Sequence, residues 1–376
     1  MNIDKLNCSL ILILFILYYC QSLFFSSGVI GPSIAIMIVV ISVFYLFKIM
    51  NKGMKMNSFA KLWLLFILYQ TVIYLLSGNY SRSFGIFQRM LLNTLPFFPF
   101  YYFINKGILT IKHFNYFLVA AFPLFILNFY KSYYFLLDYR NSETVVVTAA
   151  IYMFIGLLPF VFMIRNKLLA ALSLFTVFYF FIESNKKSAV FCGIIAIILF
   201  AWQNLILIKK FNLKNIIFSL ALLIGLSFYS YKAYNQNEFL QKRMLSLVES
   251  GDNVREGIVE RTFDAWYNSN NIITYLFGLG YDSSRDITGT SSHNDIVDAI
   301  TSFGLFGFLI YFLIFFSLIK LTLKKDWNTN KRVIMFVFLG IALITSLSNR
   351  WYTNAFPFMI TVFLPYLLLT RKKPIW

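Results

Sequence analysis

Apolar runs of about 15 to 23 residues recur along the whole of this chain, and a helix needs roughly 20 such residues to cross the hydrocarbon core of a bilayer. The runs cover residues 8–25, 29–47, 62–76, 90–104, 114–130, 146–164, 168–182, 188–205, 216–231, 296–319, 333–348 and 355–370. Strands of a membrane barrel would alternate in segments of about ten residues, and these runs do not alternate. The expected fold is an all-α polytopic integral membrane protein of about 12 transmembrane helices, because only helices and closed barrels satisfy their backbone in lipid. Composition agrees: 59% of the residues are hydrophobic, 20% aromatic and only 13% charged, well outside the range of a soluble domain.

The net charge of +18 would suggest a nucleic-acid partner in a soluble protein, so its meaning depends on where the charges fall. Counting twelve spans from a cytoplasmic start places clusters such as Lys48, Lys52, Lys55 and Lys61, or Lys320, Lys324, Lys325, Lys331 and Arg332, in inward segments. The inward segments together hold 20 basic residues against two acidic ones, Asp4 and Asp326. The outward segments hold 13 of each sign, so the whole net charge lies inside. This is the positive-inside pattern: it sets both termini in the cytoplasm and removes the reason to invoke nucleic acid. Cys8, Cys20 and Cys192 all fall within expected spans, which supports neither a disulfide framework nor a zinc cluster. The first run lacks the small residues of a cleavage site and reads as an uncleaved span.

Residues 1–376 read as a single membrane domain without internal repeats, interrupted by one large polar segment, 232–295, on the outer side. Long loops of this kind usually carry function. Within it, a helix over about 255–268 has Val259, Thr262, Phe263 and Trp266 on one face and Glu256, Glu260 and Asp264 on another, as an interfacial helix requires. Gly278 and Gly280 then suit a turn. Shorter outer segments are 77–89 with Arg82 and Arg89, 131–145 with Asp138, Arg140 and Glu143, the tight 183–187 with Lys186 and Lys187, and 349–352 with Arg350.

The chain has two histidines, and His113 falls on the inner side, which leaves His293 as the imidazole available outside. It stands where Ser291, Ser292 and Asn294, all helix-start residues, meet the tenth apolar run, and Ser292 with Asp295 makes a weak capping box. Continuing that helix, Gly304 lies 11 residues on, about three turns, beneath His293 on one face, with Gly307 about 40° to the other side. Such a glycine stripe admits a close neighbouring helix. An imidazole with an ordinary pKa near 6.5 can be neutral at pH 7 and accept a proton. The alternative is that His293 only caps a membrane helix. A base among several cations suits glycan transfer from a lipid pyrophosphate, which needs a hydroxyl deprotonated and a departing diphosphate stabilised. Arg261, Arg255, Arg350, Arg89, Arg82, Lys186 and Lys187 are the outer candidates for the second task; surface ion pairs or headgroup anchoring are the plainer reading of each. The outer segments have no Asp-x-Asp pair or histidine cluster for a metal, so no metal or other cofactor is expected.

His293-Asn294, nine residues, Gly304, two residues, Gly307 resembles the motif of the O-antigen polymerase and O-antigen ligase superfamily. Arg261, Trp266, Gly278 and Gly280 resemble that family's outer loop, and Glu183-Ser184-Asn185-Lys186-Lys187 its Ser-Arg segment between two spans, with Lys187 where arginine is usual. Lysine cannot make the same planar fork. The resemblance covers about residues 180–350. It implies an inverting, metal-independent glycosyltransferase of the membrane-embedded GT-C type in the bacterial inner membrane, facing the periplasm. His293 would be the general base, Arg261 a catalytic partner, and Lys187, Lys186, Arg255, Arg350, Arg89 and Asn294 would contact the diphosphate or glycan. Gly278, Gly280, Gly304 and Gly307 would be structural. The partners implied are undecaprenyl-pyrophosphate-linked glycans, membrane lipids and a chain-length regulator protein. The polymerase reading is favoured over the ligase, which hands the chain to lipid A-core. A flippase for the same lipid-linked sugars is a third reading, disfavoured by the long outer loop and nearly charge-free spans.

Overall fold

The computed structural model describes residues 3–24, 28–78, 80–139, 147–164, 166–206, 213–239, 241–242, 245, 253–324, 327–348 and 359–370. Among the described residues the protein is all helical, 83% helix without strands. The long helices are α1 (Ile3–Phe24), α2 (Ile30–Asn51), α3 (Ser58–Leu76), α4 (Tyr80–Thr94), the short α5 (Phe97–Asn105) and α6 (Ile111–Tyr139). After the short α7 (Tyr152–Ile155) and α8 (Leu158–Val161) come α9 (Lys167–Glu183), α10 (Lys187–Ile206) and α11 (Leu213–Gln236). The polar region supplies α12 (Asn253–Tyr267), α13 (Ile272–Phe277), α14 (Ser283–Thr288) and α15 (Asp295–Thr301), followed by α16 (Gly304–Thr322), α17 (Thr329–Ser348) and α18 (Leu364–Leu369). Seven of these, α1, α2, α3, α6, α10, α16 and α17, are long and apolar enough to cross a membrane.

Two of the apolar runs that fall short of this are broken locally. Run 90–104 breaks at Leu95-Pro96, because proline has no N–H to donate and its ring clashes with the preceding turn. The resulting α5 is buried on every side from Phe97 to Ile104. Run 146–164 divides into a 3₁₀ turn, α7 and α8 around Gly156 and Pro159, and run 355–370 is described only from Met359. Helix α6 extends to Tyr139, so Asp138 is helical, while Arg140 and Glu143 lie outside the described residues.

Packing places the inner faces together and leaves apolar side chains outward. Helix α1 lies against α2 and α6, α5 against α2 and α18, α3 against α16, and α10 against α17. Ile36, Val40, Phe44 and Phe47 make an exposed stripe along α2, the face a membrane helix turns to lipid tails rather than to water. Polar side chains fix the interior: the Trp63 indole donates to the Thr94 carbonyl at 3.1 Å, tying α3 to α4.

Candidate functional site

The first feature that positions the site is a break where an unbroken helix was expected. Run 296–319 is two helices, α15 and α16, separated at Ser302-Phe303, and Gly304 opens the second with φ +67°. The helical register that would set Gly304 beneath His293 is therefore lost. Donors far away in sequence meet the carbonyls at the break: Leu279 N–H donates to Thr301 O at 2.7 Å, and the Tyr69 hydroxyl at 2.6 Å to Phe303 O, which also accepts from Gly307 N–H at 3.2 Å. Gly278 (φ +85°) and Gly304 face each other across this junction. A Cβ on Gly278 would lie 2.4 Å from the Ser302 carbonyl, and one on Gly304 2.4 Å from the Leu276 carbonyl. Gly307 packs against Phe303 and Tyr69, while Gly280 (φ +106°) admits the Ser77 hydroxyl, which accepts from Tyr281 N–H at 2.7 Å. The four glycines singled out in the sequence thus meet around one backbone crossing.

The turn that carries His293 is fixed just upstream. Asn294, not Ser292, is the N-cap of α15, its Oδ1 accepting from Ile296 N–H at 3.0 Å and Val297 N–H at 3.2 Å. Ser292 instead braces the turn: its hydroxyl accepts from Asn294 N–H and donates to Asn294 O, both at 3.2 Å, while its own N–H donates to Ser284 Oγ at 3.3 Å. Between them His293 is held at φ +52°, a left-handed conformation that costs a side-chain-bearing residue on the order of 1 kcal/mol. Asp295 is fully buried beneath the turn, with Tyr311 Oη 3.4 Å from its Oδ2 and 2.9 Å from Ser346 Oγ, which links α15, α16 and α17.

His293, Asn294 and Ser292 line a cavity of about 610 Å³ together with Lys187 and Glu256. Lys187 is the first residue of the 20-residue α10, so its ammonium and the helix N-terminus present positive potential to the same space. Glu256 comes from the first turn of α12. The remaining wall is apolar but for Ser348: Phe191 and Ile195 from α10, Val259 from α12, and Ile344 and Leu347 from α17. The cavity therefore joins an imidazole, an ammonium and a carboxylate to an apolar cleft between two long helices. It can hold a molecule with an anionic or hydroxyl-rich head and a hydrocarbon tail.

The other candidates distribute unevenly. Lys186, next to Lys187, lies with its ammonium 5.4 Å from the centre of the Tyr152 ring. Arg261 is exposed on α12 and its Nε donates to Gly257 O, one turn back, at 2.9 Å; neither it nor Lys186 is among the described residues lining the cavity. Arg89 lines a separate cavity of about 200 Å³ with Tyr18, Gln21 and Gln88. The backbone of Arg255 lies in α12 and that of Arg82 in α4, but their side chains, and the whole of Arg350, lie outside the described residues. Trp266 is buried, donating from its indole to Thr274 O at 3.1 Å, and Phe263 is partly exposed. Sequence reasoning missed Glu256 as a site residue because it read only as part of a polar helical stripe. No spacing relates it to Lys187 or His293. Among the described residues, no group of three or more His, Cys, Asp or Glu side chains is placed to hold a metal.

Fold and cavity together define an all-helical, multi-helix membrane protein with a polar site at the end of an apolar cleft. No protein-family model matches the chain, and no curated protein matches it in sequence.

Proposed function

We propose that this protein is an inverting, metal-independent membrane glycosyltransferase that polymerises undecaprenyl-pyrophosphate-linked oligosaccharide units at the periplasmic face of the bacterial inner membrane. The observation that carries the reading is the shared cavity of His293, Lys187 and Glu256 with its apolar wall. In the proposed step, His293 takes the proton from an acceptor sugar hydroxyl, whose oxygen attacks the anomeric carbon of the donor. The bond from that carbon to the pyrophosphate oxygen breaks with inversion, and the diphosphate leaves with the electron pair. Lys187 and the N-terminus of α10 meet its charge, as a site preorganised for a developing anion does. Glu256 accepts from a sugar hydroxyl, and the Phe191, Ile195 and Leu347 wall receives the prenyl chain. Arg261, whose Nε donates to Gly257 O one turn back, is given no role in this step.

The reading also takes the architecture as GT-C-like with about 12 crossings, both termini cytoplasmic. The broken pairs α4–α5 and α7–α8 would then be interrupted crossings, which a membrane protein tolerates where protein surrounds them, as it does α5. The test is the surface glycan ladder of cells producing His293→Ala at normal levels. Long chains should vanish and leave a single repeat unit on the acceptor lipid. A wild-type ladder would remove His293 as the base, and bare acceptor with chains stranded on undecaprenyl would assign ligation instead.

A further inference from the structure

A second polar cavity, of about 720 Å³, lies at the other end of the helices and plays no part in the reaction proposed above. Helix α3 begins just after the segment containing Lys52 and ends at Ser77, which meets the Gly280 turn. Its 19 residues separate the two ends by roughly 28 Å. The start of α1, the end of α2, the end of α5 and the start of α6 converge here, bringing Lys5, Lys52, Lys106 and His113 to one space with Asp4 and Tyr102.

Asp4 does not neutralise these cations, because its carboxylate is already engaged. It pairs with Lys48, and it accepts from the Tyr45 hydroxyl at 2.8 Å and the Tyr102 hydroxyl at 3.0 Å. The Lys48 ammonium is further held against the Tyr45 and Tyr102 rings, 5.2 and 5.1 Å from their centres. Lys5, Lys52 and Lys106 therefore remain as excess positive charge around the cavity. His113 adds an imidazole to the rim, its Nδ1 3.2 Å from Thr110 N and 3.0 Å from Thr110 Oγ1. A topology signal alone would need lysines anywhere in the inward segments. Here they come from separate segments to a single hollow whose one carboxylate is satisfied.

We infer that this cavity holds the phosphate of an anionic phospholipid headgroup. Three ammonium groups and an imidazole N–H match a phosphodiester, and basic hollows between membrane helices are where such headgroups bind. The apolar side chains on the same helix ends, Ile3 and Leu6 on α1 and Met50 on α2, are exposed and positioned for acyl chains rather than for a soluble anion.

Native mass spectrometry of the full-length protein in detergent, titrated with dioleoylphosphatidylglycerol or dioleoylphosphatidylcholine, tests this. Phosphatidylglycerol should be retained about tenfold or more in preference. Lys5→Gln, an exposed position whose change leaves the fold intact, should weaken its retention about fivefold, and Lys5→Gln/Lys52→Gln/Lys106→Gln on the order of a hundredfold. Lys61→Gln/Lys320→Gln/Lys324→Gln removes equal charge elsewhere on the inward segments and should leave it unchanged. Equal loss in that control, unchanged retention in both cavity variants, or displacement of the lipid by millimolar inorganic phosphate would each overturn the inference.

Discussion

Replacing Gly304 by alanine tests whether the backbone crossing at the helix break holds the site together. The new Cβ would sit 2.4 Å from the carbonyl carbon and oxygen of Leu276 and 2.5 Å from Gly278 N. These are backbone atoms, and they have no room to retreat: Leu279 N–H is bonded to Thr301 O at 2.7 Å, and Gly278 itself abuts the Ser302 carbonyl. A left-handed φ costs alanine about 1–2 kcal/mol, and overpacking a tight contact about 1–3 kcal/mol more. Gly304→Ala should therefore destabilise the protein by about 2–5 kcal/mol and lower transfer activity as well, since Thr301 closes the helix that begins beside His293. Gly340→Ala is the matched control, because its Cβ would meet only Ile195 Cγ2 at 3.4 Å and alanine is favoured over glycine in a helix. It should be neutral or slightly stabilising. Thermal unfolding in detergent, followed by tryptophan fluorescence and size-exclusion recovery, reads both. Gly278→Ala combined with Gly304→Ala should cost less than the two separately, because the first substitution already parts the two crossing segments. If Gly304→Ala melts like wild type, the crossing does not constrain the site and the argument fails.

His293→Gly should keep or raise thermal stability, by up to about 1 kcal/mol, because glycine accepts φ +52° freely, while glycan transfer is lost; a fall in melting temperature would mean that the imidazole works mainly in packing. Lys187→Gln should reduce transfer at least about tenfold and Lys187→Arg should preserve it, since the guanidinium also binds phosphate; equal effects of the two, measured with a lipid-linked donor, would take charge at this position out of the mechanism. Arg261→Lys should change transfer less than about twofold because the arginine is exposed and turned back on its own helix, and a larger loss would place it at the diphosphate. A topology reporter fused near residue 270 should read as external and one near residue 324 as internal, with the reverse pattern inverting the charge argument.

The sequence by itself determined that this chain is helical and belongs in a membrane. Hydropathy is a local, additive property, and each run carries enough of it to specify a helix whatever its neighbours do. The charge distribution and the positions of Pro96, Gly156 and Pro159 are likewise written in single segments. The histidine, Lys187 and the four glycines were singled out in the sequence as well, though only through resemblance to a family motif and not through any force acting along the chain. Tertiary structure alone decided where the tenth run breaks, because the break at Ser302-Phe303 is stabilised by Tyr69, 234 residues distant, and by the Gly278 turn. It also decided that Glu256 joins Lys187 and His293 while Arg261 bonds to its own helix. Those outcomes depend on which surfaces meet when helices pack, and a contact between distant segments leaves no periodicity in either one.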